Sequence, residues 1–142
     1  MRKFKLFLSH SSADSPVIKA FIDFMYKIGL VPEDIIATCS PTNKIAIRED
    51  IYDCLRNSLA NEKIYMIYFL SDNYYSSPVC LNEMGAAWVR RLDGLSLLLS
   101  GFDFDDMQGV IGRNKVGIKL GICDDTTKAS FNEFKKDLVR MF

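Results

Sequence analysis

The chain has no excess of charge, no long apolar run and no glycine-rich nucleotide motif. Its 18 basic residues balance 18 acidic ones, which argues against a nucleic acid or an anionic membrane as the main partner. The apolar stretch Leu6–Leu8 is far shorter than the roughly 7–15 residues of a secretory signal. No run approaches the ~20 residues that span a bilayer. We therefore expect a cytoplasmic protein whose direct partners include neither nucleic acid nor membrane.

Closely spaced metal ligands are also lacking. The only histidine is His10, and the four cysteines, Cys39, Cys54, Cys80 and Cys123, are scattered, whereas zinc sites usually combine close Cys or His pairs. Neither G-x-G-x-x-G nor G-x-x-x-x-G-K-S/T occurs, which argues against a dehydrogenase or a P-loop NTPase. The sequence thus predicts no metal site and no bound cofactor, and most of the cysteines are expected to be buried apolar residues.

What the sequence does contain is a regular alternation of strand and helix within one domain, residues 1–142. Five apolar segments are predicted as strands: Lys3–Leu8, Asp34–Thr38, Ile64–Leu70, Leu95–Leu99 and Lys115–Leu120. The third of these has no polar alternation, as expected of a parallel strand covered on both faces. The pattern predicts an α/β fold: a flavodoxin-like three-layer sandwich with a five-stranded parallel sheet in the order 2-1-3-4-5.

Helical periodicity predicts helices between these strands. The first helix follows Asp14 or Ser15, the candidate N-caps. A second helix begins near Ile47, and a third runs from Val79 to Arg91. The first helix is expected to bury one apolar face, which consists of Val17, Ala20, Phe21, Phe24, Met25 and Ile28.

The predicted strand order places a switch point between strands 1 and 3, where ligand crevices form at the carboxyl ends of strands. The turn Ser9–Asp14 follows strand 1, and the segment leading to Glu83 follows strand 3. The loop Cys39–Ile47 lies at the rim of the same region. We therefore expect these segments to meet at one crevice.

Glu83 is the candidate catalytic residue at that crevice. It stands early in an otherwise apolar or small-sided helix, on the edge of a stripe that contains Cys80, Met84, Ala87 and Trp88. A carboxylate on such a border is partly desolvated, so its charge acts strongly on a bound ligand. The alternative is an acid that only benefits from the helix dipole near the N-terminus.

Ser9, His10 and Ser11 are candidate ligand-binding residues in the first turn. Their side chains and backbone N–H groups can donate hydrogen bonds to a phosphate near the start of a helix. The alternative interpretation is an ordinary polar turn.

Three further residues have a functional and a structural interpretation. Arg48 stands at the head of the second helix, where its charge opposes the helix dipole, and a ligand or partner role is as open here as a purely structural one. Trp88 and Tyr74 can stack on a base, although a tryptophan on a helix is more often part of the core.

Three stretches resemble the Toll/interleukin-1 receptor (TIR) domain family, especially its bacterial members. They are Phe7–Asp14, Ser71–Trp88, and Leu98–Phe104 with the tail to Leu120. The spacing agrees over almost the whole chain, and the second stretch is the most specific. The resemblance implies a flavodoxin-like fold in a single TIR domain, which in similar proteins is commonly the catalytic part of a longer chain with a sensor domain.

The resemblance also implies an activity. Many TIR domains of this kind cleave NAD⁺ at the nicotinamide–ribose bond with one glutamate on the third helix, and Glu83 matches that position. Cys39–Ile47 looks like the family's mobile loop, which often contacts a neighbouring subunit, although Ile47-Arg48-Glu49 replaces a common glycine. Substrate contacts are accordingly expected from Ser9, His10, Ser11, Arg48, Cys80 and Trp88. Contacts between subunits are expected from Asn43, Lys44 and Ile45.

Three functions remain open at this point. The first is an NAD⁺ glycohydrolase, or a cyclase that forms cyclic ADP-ribose, activated by homo-oligomerisation with other TIR domains in defence against phage. The second is a non-enzymatic adaptor that signals through TIR–TIR contacts. The third is an enzyme similar to nucleoside deoxyribosyltransferases, which also use a glutamate.

Overall fold

A five-stranded, all-parallel sheet forms the centre of the molecule. The computed structural model describes residues 4–37, 63–111, 117–120 and 125–141. The strands are β1 (Lys5–Ser9), β2 (Ile35–Ala37), β3 (Ile64–Leu70), β4 (Gly94–Leu98) and β5 (Gly117–Lys119). Their order is β2-β1-β3-β4-β5. This confirms the predicted flavodoxin-like arrangement.

Helices cover both faces of this sheet. They are α1 (Ser15–Lys27), α2 (Asp72–Tyr75), α3 (Pro78–Val89) and α4 (Asp125–Met141). The second helix predicted near Ile47 and the loop Cys39–Ile47 lie outside the described residues.

All seven residues of β3 are buried, because successive side chains of a strand point to opposite faces and each face has a helical layer. Tyr65, Ile67 and Phe69 belong to the core below α1 and α4. Met66 and Tyr68 belong to the core below α3. The absence of polar alternation in this segment thus has the predicted cause, and it fixes β3 at the centre of the sandwich.

The buried face of α1 differs from the predicted one. Ile18 and Met25 are the buried residues of this helix, whereas Val17, Phe24 and Ile28 are 39–47% exposed. Two overlapping apolar stripes run along the helix, and a period of 3.6 residues does not choose between them. The rotation is set by packing against the sheet.

Helix α3 carries Glu83 and has well-defined ends. Ser77 is the N-cap, since its hydroxyl accepts a hydrogen bond from the N–H of Cys80, and Pro78 occupies the first turn. The helix ends at Val89, two residues before the predicted Arg91. Arg91 adopts a left-handed conformation with φ of 53°, which terminates the helix and turns the chain towards β4.

Among the helices that the structure describes, none is both long and apolar enough to cross a membrane.

Candidate active site

The carboxyl ends of β1 and β3 lie next to each other at the switch point of the sheet. Ser9, the last residue of β1, pairs in register with Tyr68 of β3. Helix α3 packs on this part of the sheet and brings Glu83 to the end of β1. The structure therefore brings together the two sequence segments that were expected to meet.

Glu83 is buried, with only 2% of its surface exposed. The hydroxyl of Ser9 donates a hydrogen bond of 2.7 Å to its Oε1 atom. Its Oε2 atom is also buried, and the described residues give it no hydrogen-bond partner. Glu83 is thus not an acid at the solvent-exposed start of a helix: Ser9 fixes one oxygen, and the other is buried without a hydrogen-bond partner among the described residues.

Burial raises the pKa of Glu83 from 4.5 to about 7, and the hydrogen bond from Ser9 opposes this shift in part. Desolvation disfavours the charged form of a carboxyl group, whereas a donor to the carboxylate favours it. The side chain is therefore close to half ionised at neutral pH. A group with such a pKa is unusual for a carboxyl and is typical of functional sites.

Tyr74 extends this hydrogen-bonded network. Its ring is completely buried, and its Oη atom lies 2.8 Å from Ser9 Oγ and 3.1 Å from the carbonyl oxygen of Cys80. When Glu83 is ionised, Ser9 donates to Glu83 and can accept from Tyr74. When Glu83 carries a proton on Oε1, the bonds can run in reverse, from Glu83 to Ser9, to Tyr74 and to the Cys80 carbonyl.

Tyr74 therefore cannot stack on a base, as the sequence suggested, because its ring has no exposed surface. Its role in the Glu83 network was missed, since a sequence pattern does not tell in which direction a ring on the short helix α2 points. The only available signal was a hydroxyl-bearing residue nine positions before Glu83 on the same crevice.

The other residues of the first turn hold the turn together. Ser11 is 8% exposed and its hydroxyl accepts from the N–H of Ala13 at 3.3 Å. The Nδ1 atom of His10 lies 2.9 Å from the carbonyl oxygen of Leu8, to which it donates as Nδ1–H. Burial lowers the pKa of His10, against the raising effects of that bond and of Asp14. In the structure these two residues thus make the contacts of a closed polar turn.

Asp14 occupies the predicted N-cap position of α1, but its side chain makes no cap hydrogen bond. Its carboxylate accepts instead from Ser71 Oγ at 2.6 Å and from Asn73 Nδ2 at 3.0 Å. These bonds tie the turn after β1 to α2. They help to fix the distance between Ser9 and Tyr74.

The structure does not bring the remaining predicted site residues together in one place. Cys80 is buried beside Tyr74. Trp88 is 58% exposed at the far end of α3, so it is not part of the core, and it lines a separate cavity. Arg48 and the loop residues Asn43, Lys44 and Ile45 lie outside the described residues. Within residues 4–37, 63–111, 117–120 and 125–141, no three His, Cys, Asp or Glu side chains come together as metal ligands.

These features define a parallel α/β domain with one buried glutamate at the switch point of its sheet. No protein-family model matches the chain. The chain is similar to the uncharacterized protein YddK of Bacillus subtilis (strain 168), with 45% identity over 116 residues, which are 82% of this chain and 43% of YddK. The chain thus spans less than half the length of that relative.

Replacement of Ser9 by alanine is expected to raise the pKa of Glu83 by roughly one unit. The variant removes the donor that stabilises the carboxylate, and a hydrogen bond to a charged group contributes about 1.5–3 kcal/mol, part of which the protonated form also loses. The measurement is a pH titration of the Glu83 side-chain carbon signal by NMR. Ser76→Ala, at an exposed serine bonded to the Asp72 carbonyl, is the control. An unchanged or lower pKa in Ser9→Ala would contradict the proposed role of Ser9.

Proposed function

We propose that this domain is a TIR-type NAD⁺ glycohydrolase in which Glu83 is the catalytic residue. The observation that supports this most directly is the arrangement of its carboxyl group. One oxygen is held by Ser9 at 2.7 Å, and the other is buried without a partner among the described residues. A carboxylate fixed in this way is preorganised to stabilise a positive charge that develops beside it.

A single acid is sufficient for this reaction. Nicotinamide leaves as a neutral molecule, because the bonding electrons of the ribose–nitrogen bond neutralise its cationic ring, and no general acid has to protonate it. The positive charge passes to an oxocarbenium-like ribose, which the Glu83 carboxylate stabilises electrostatically. Water then attacks the ribose carbon and releases a proton to solvent. In a cyclase, an adenine nitrogen of the same molecule replaces the water and gives cyclic ADP-ribose.

The remaining expected substrate contacts are part of this proposal. The first turn, including Ser9 and Ser11, would lie beside the phosphates and the nicotinamide ribose, with Arg48 and Cys80 at the edge of the pocket. NAD⁺ is a substrate in this proposal, and no other cofactor is required.

Activation by self-assembly also belongs to the proposal. Glu83 is 2% exposed, so NAD⁺ can reach its carboxylate only when the site opens. We propose that contacts with a second copy of the domain, made by Asn43, Lys44 and Ile45, favour the open site. In the proposed setting the domain acts in the cytoplasm in defence against phage, under the control of a fused sensor domain.

The test is an assay of NAD⁺ cleavage under conditions that force the domains together. The protein is incubated with NAD⁺ at high concentration or with a crowding agent, and the products are separated by chromatography. We expect nicotinamide together with ADP-ribose or cyclic ADP-ribose, and more of both under crowding than in dilute solution.

The rival functions give different products. A TIR adaptor would release no nicotinamide even when it is clustered, and changes at Ile45 or Arg48 would abolish its signalling, whereas Glu83→Ala would not. An enzyme of the nucleoside deoxyribosyltransferase type would exchange the base of a deoxynucleoside and leave NAD⁺ intact. Either result would contradict the proposed NAD⁺ glycohydrolase activity.

A further inference from the structure

A cavity lies at the end of α3 remote from Ser9, beside the first residues of β4. Its volume is about 580 Å³, within the range of roughly 300–1,000 Å³ that is typical of small-molecule sites. Neither Ser9 nor Glu83 is among the described residues that line it. The cavity is therefore separate from the candidate active site.

Two tyrosines line this cavity, and their hydroxyl groups form no hydrogen bond within the part of the chain that the structure describes. Tyr65 and Tyr68 line it, and both are buried, with 9% and 8% of their surface exposed. Neither hydroxyl oxygen is among the fully buried atoms that lack a partner, so both keep accessible surface, and a tyrosine hydroxyl group usually finds a hydrogen-bond partner. Burial raises the pKa of each to about 12, so both are hydrogen-bond donors at neutral pH.

The wall of the cavity suits a flat molecule. Trp88, the only tryptophan of the chain, is 58% exposed and lines the cavity. Met84 and Phe134 add buried apolar surface to the same walls. An indole ring next to apolar side chains favours an aromatic ligand, since offset stacking of two rings contributes beyond the area that is buried.

The rim of the cavity disfavours anions. Glu133 and Asp137 line it on the side of α4, and the negative charge of Asp137 is felt at the Tyr65 hydroxyl. Lys136 pairs with Glu133, and both are exposed, whereas Asp137 is less exposed than its partner Arg140. At the Tyr65 hydroxyl, the charges of Asp137 and Asp93 each act more strongly than the opposing charge of Arg140. A carboxylate or phosphate group in the cavity would meet like charges, whereas a neutral hydrogen-bond acceptor would not.

We propose that this cavity binds a neutral, planar heteroaromatic molecule, which stacks on Trp88 and accepts a hydrogen bond from Tyr68. The site is independent of the NAD⁺ chemistry proposed for Glu83. The two sites nevertheless share a border, because the charge of Glu83 acts on Tyr68. A ligand that engages the Tyr68 hydroxyl thus lies within electrostatic reach of the catalytic carboxyl.

The test uses two probes that differ in charge, quinoline-4-carboxamide and quinoline-4-carboxylate. Binding is followed by NMR at the indole N–H signal of Trp88, which is the single signal of its kind because the chain has one tryptophan. We expect the amide to shift this signal saturably and the carboxylate to bind at least about tenfold more weakly, which corresponds to ~1.4 kcal/mol of charge repulsion.

Variants test separately the contribution of the Tyr68 hydroxyl group and that of the two acids at the rim. Tyr68→Phe keeps the ring and should weaken binding of the amide about fivefold, the value of one neutral hydrogen bond. Leu81→Ala, on the same helix but outside the cavity, should leave it unchanged. Glu133→Gln combined with Asp137→Asn removes both rim charges and should reduce the difference in affinity between the amide and the carboxylate. The proposal is overturned by a non-saturable shift with the amide, by equal binding of both probes, or by unchanged binding in Tyr68→Phe.

Discussion

Glu83→Gln is expected to lower the rate of nicotinamide release by about 10³-fold, or ~4 kcal/mol of transition-state stabilisation. Glutamine has nearly the same shape as glutamate and can still bond to Ser9, but it has no charge to stabilise an oxocarbenium-like ribose. The measurement is kcat with NAD⁺ under crowding at pH 8, where the wild-type carboxyl group is largely ionised.

The matched control for this loss is Glu33→Gln, which makes the same chemical change at an exposed glutamate. It should retain the wild-type rate. If Glu83→Gln keeps a rate within a fewfold of the wild type, the carboxylate has no catalytic role. In that case the buried Glu83 would be a structural element of the fold, and another residue would carry the cleavage of NAD⁺.

The same role gives the pH dependence of the wild-type enzyme. The proposed chemistry uses the ionised form of Glu83, whose pKa is raised to about 7 by burial, against the opposing effect of Ser9. Activity should therefore be low at pH 5, rise through pH 7 and level off above it. Ser9→Ala should move the midpoint of this rise upwards, in parallel with the pKa that is measured by NMR.

The sheet and the proximity of Ser9 to Glu83 could be predicted because both depend on the alternation of strands and helices along the whole chain. A run such as Ile64–Leu70 with no polar residue requires cover on both faces, and alternation with helices then requires parallel strands. The order 2-1-3-4-5 is a common arrangement of such strands, and it places the ends of strands 1 and 3 together. The geometry of Ser9 and Glu83 follows from this topology.

The details that the sequence did not predict depend on local packing. On α1, two stripes shared the helical period, so the choice of Ile18 over Val17 required the shape of the sheet beneath it. Asp14 satisfies the rule for an N-cap, yet two donors from the segment after β3 compete for its carboxylate. The hydroxyl group of Tyr74 lies at the site because the short helix α2 directs its ring inwards, and a sequence pattern does not give that direction.

The raised pKa of Glu83 also implies a cost in stability, which Glu83→Gln should relieve at high pH. The unfolded chain releases the proton of this carboxyl near pH 4.5, whereas the folded protein holds it until about pH 7. The favourable contribution of the protonated form is therefore complete below pH 4.5 and is lost as pH rises through 7. For a buried group, a shift of this size corresponds to ~3 kcal/mol.

The expected result concerns the difference in unfolding free energy between Glu83→Gln and the wild type. This difference should grow in favour of the variant by ~3 kcal/mol between pH 4 and pH 9, as measured by urea denaturation at several pH values. Effects of the glutamine that do not depend on pH cancel in the comparison. A difference that stays constant with pH would mean that Glu83 titrates alike in the folded and unfolded states. The same urea curves give the free energy of unfolding of Glu83→Gln itself at pH 8, and a clearly positive value there would show that its inactivity does not arise from unfolding.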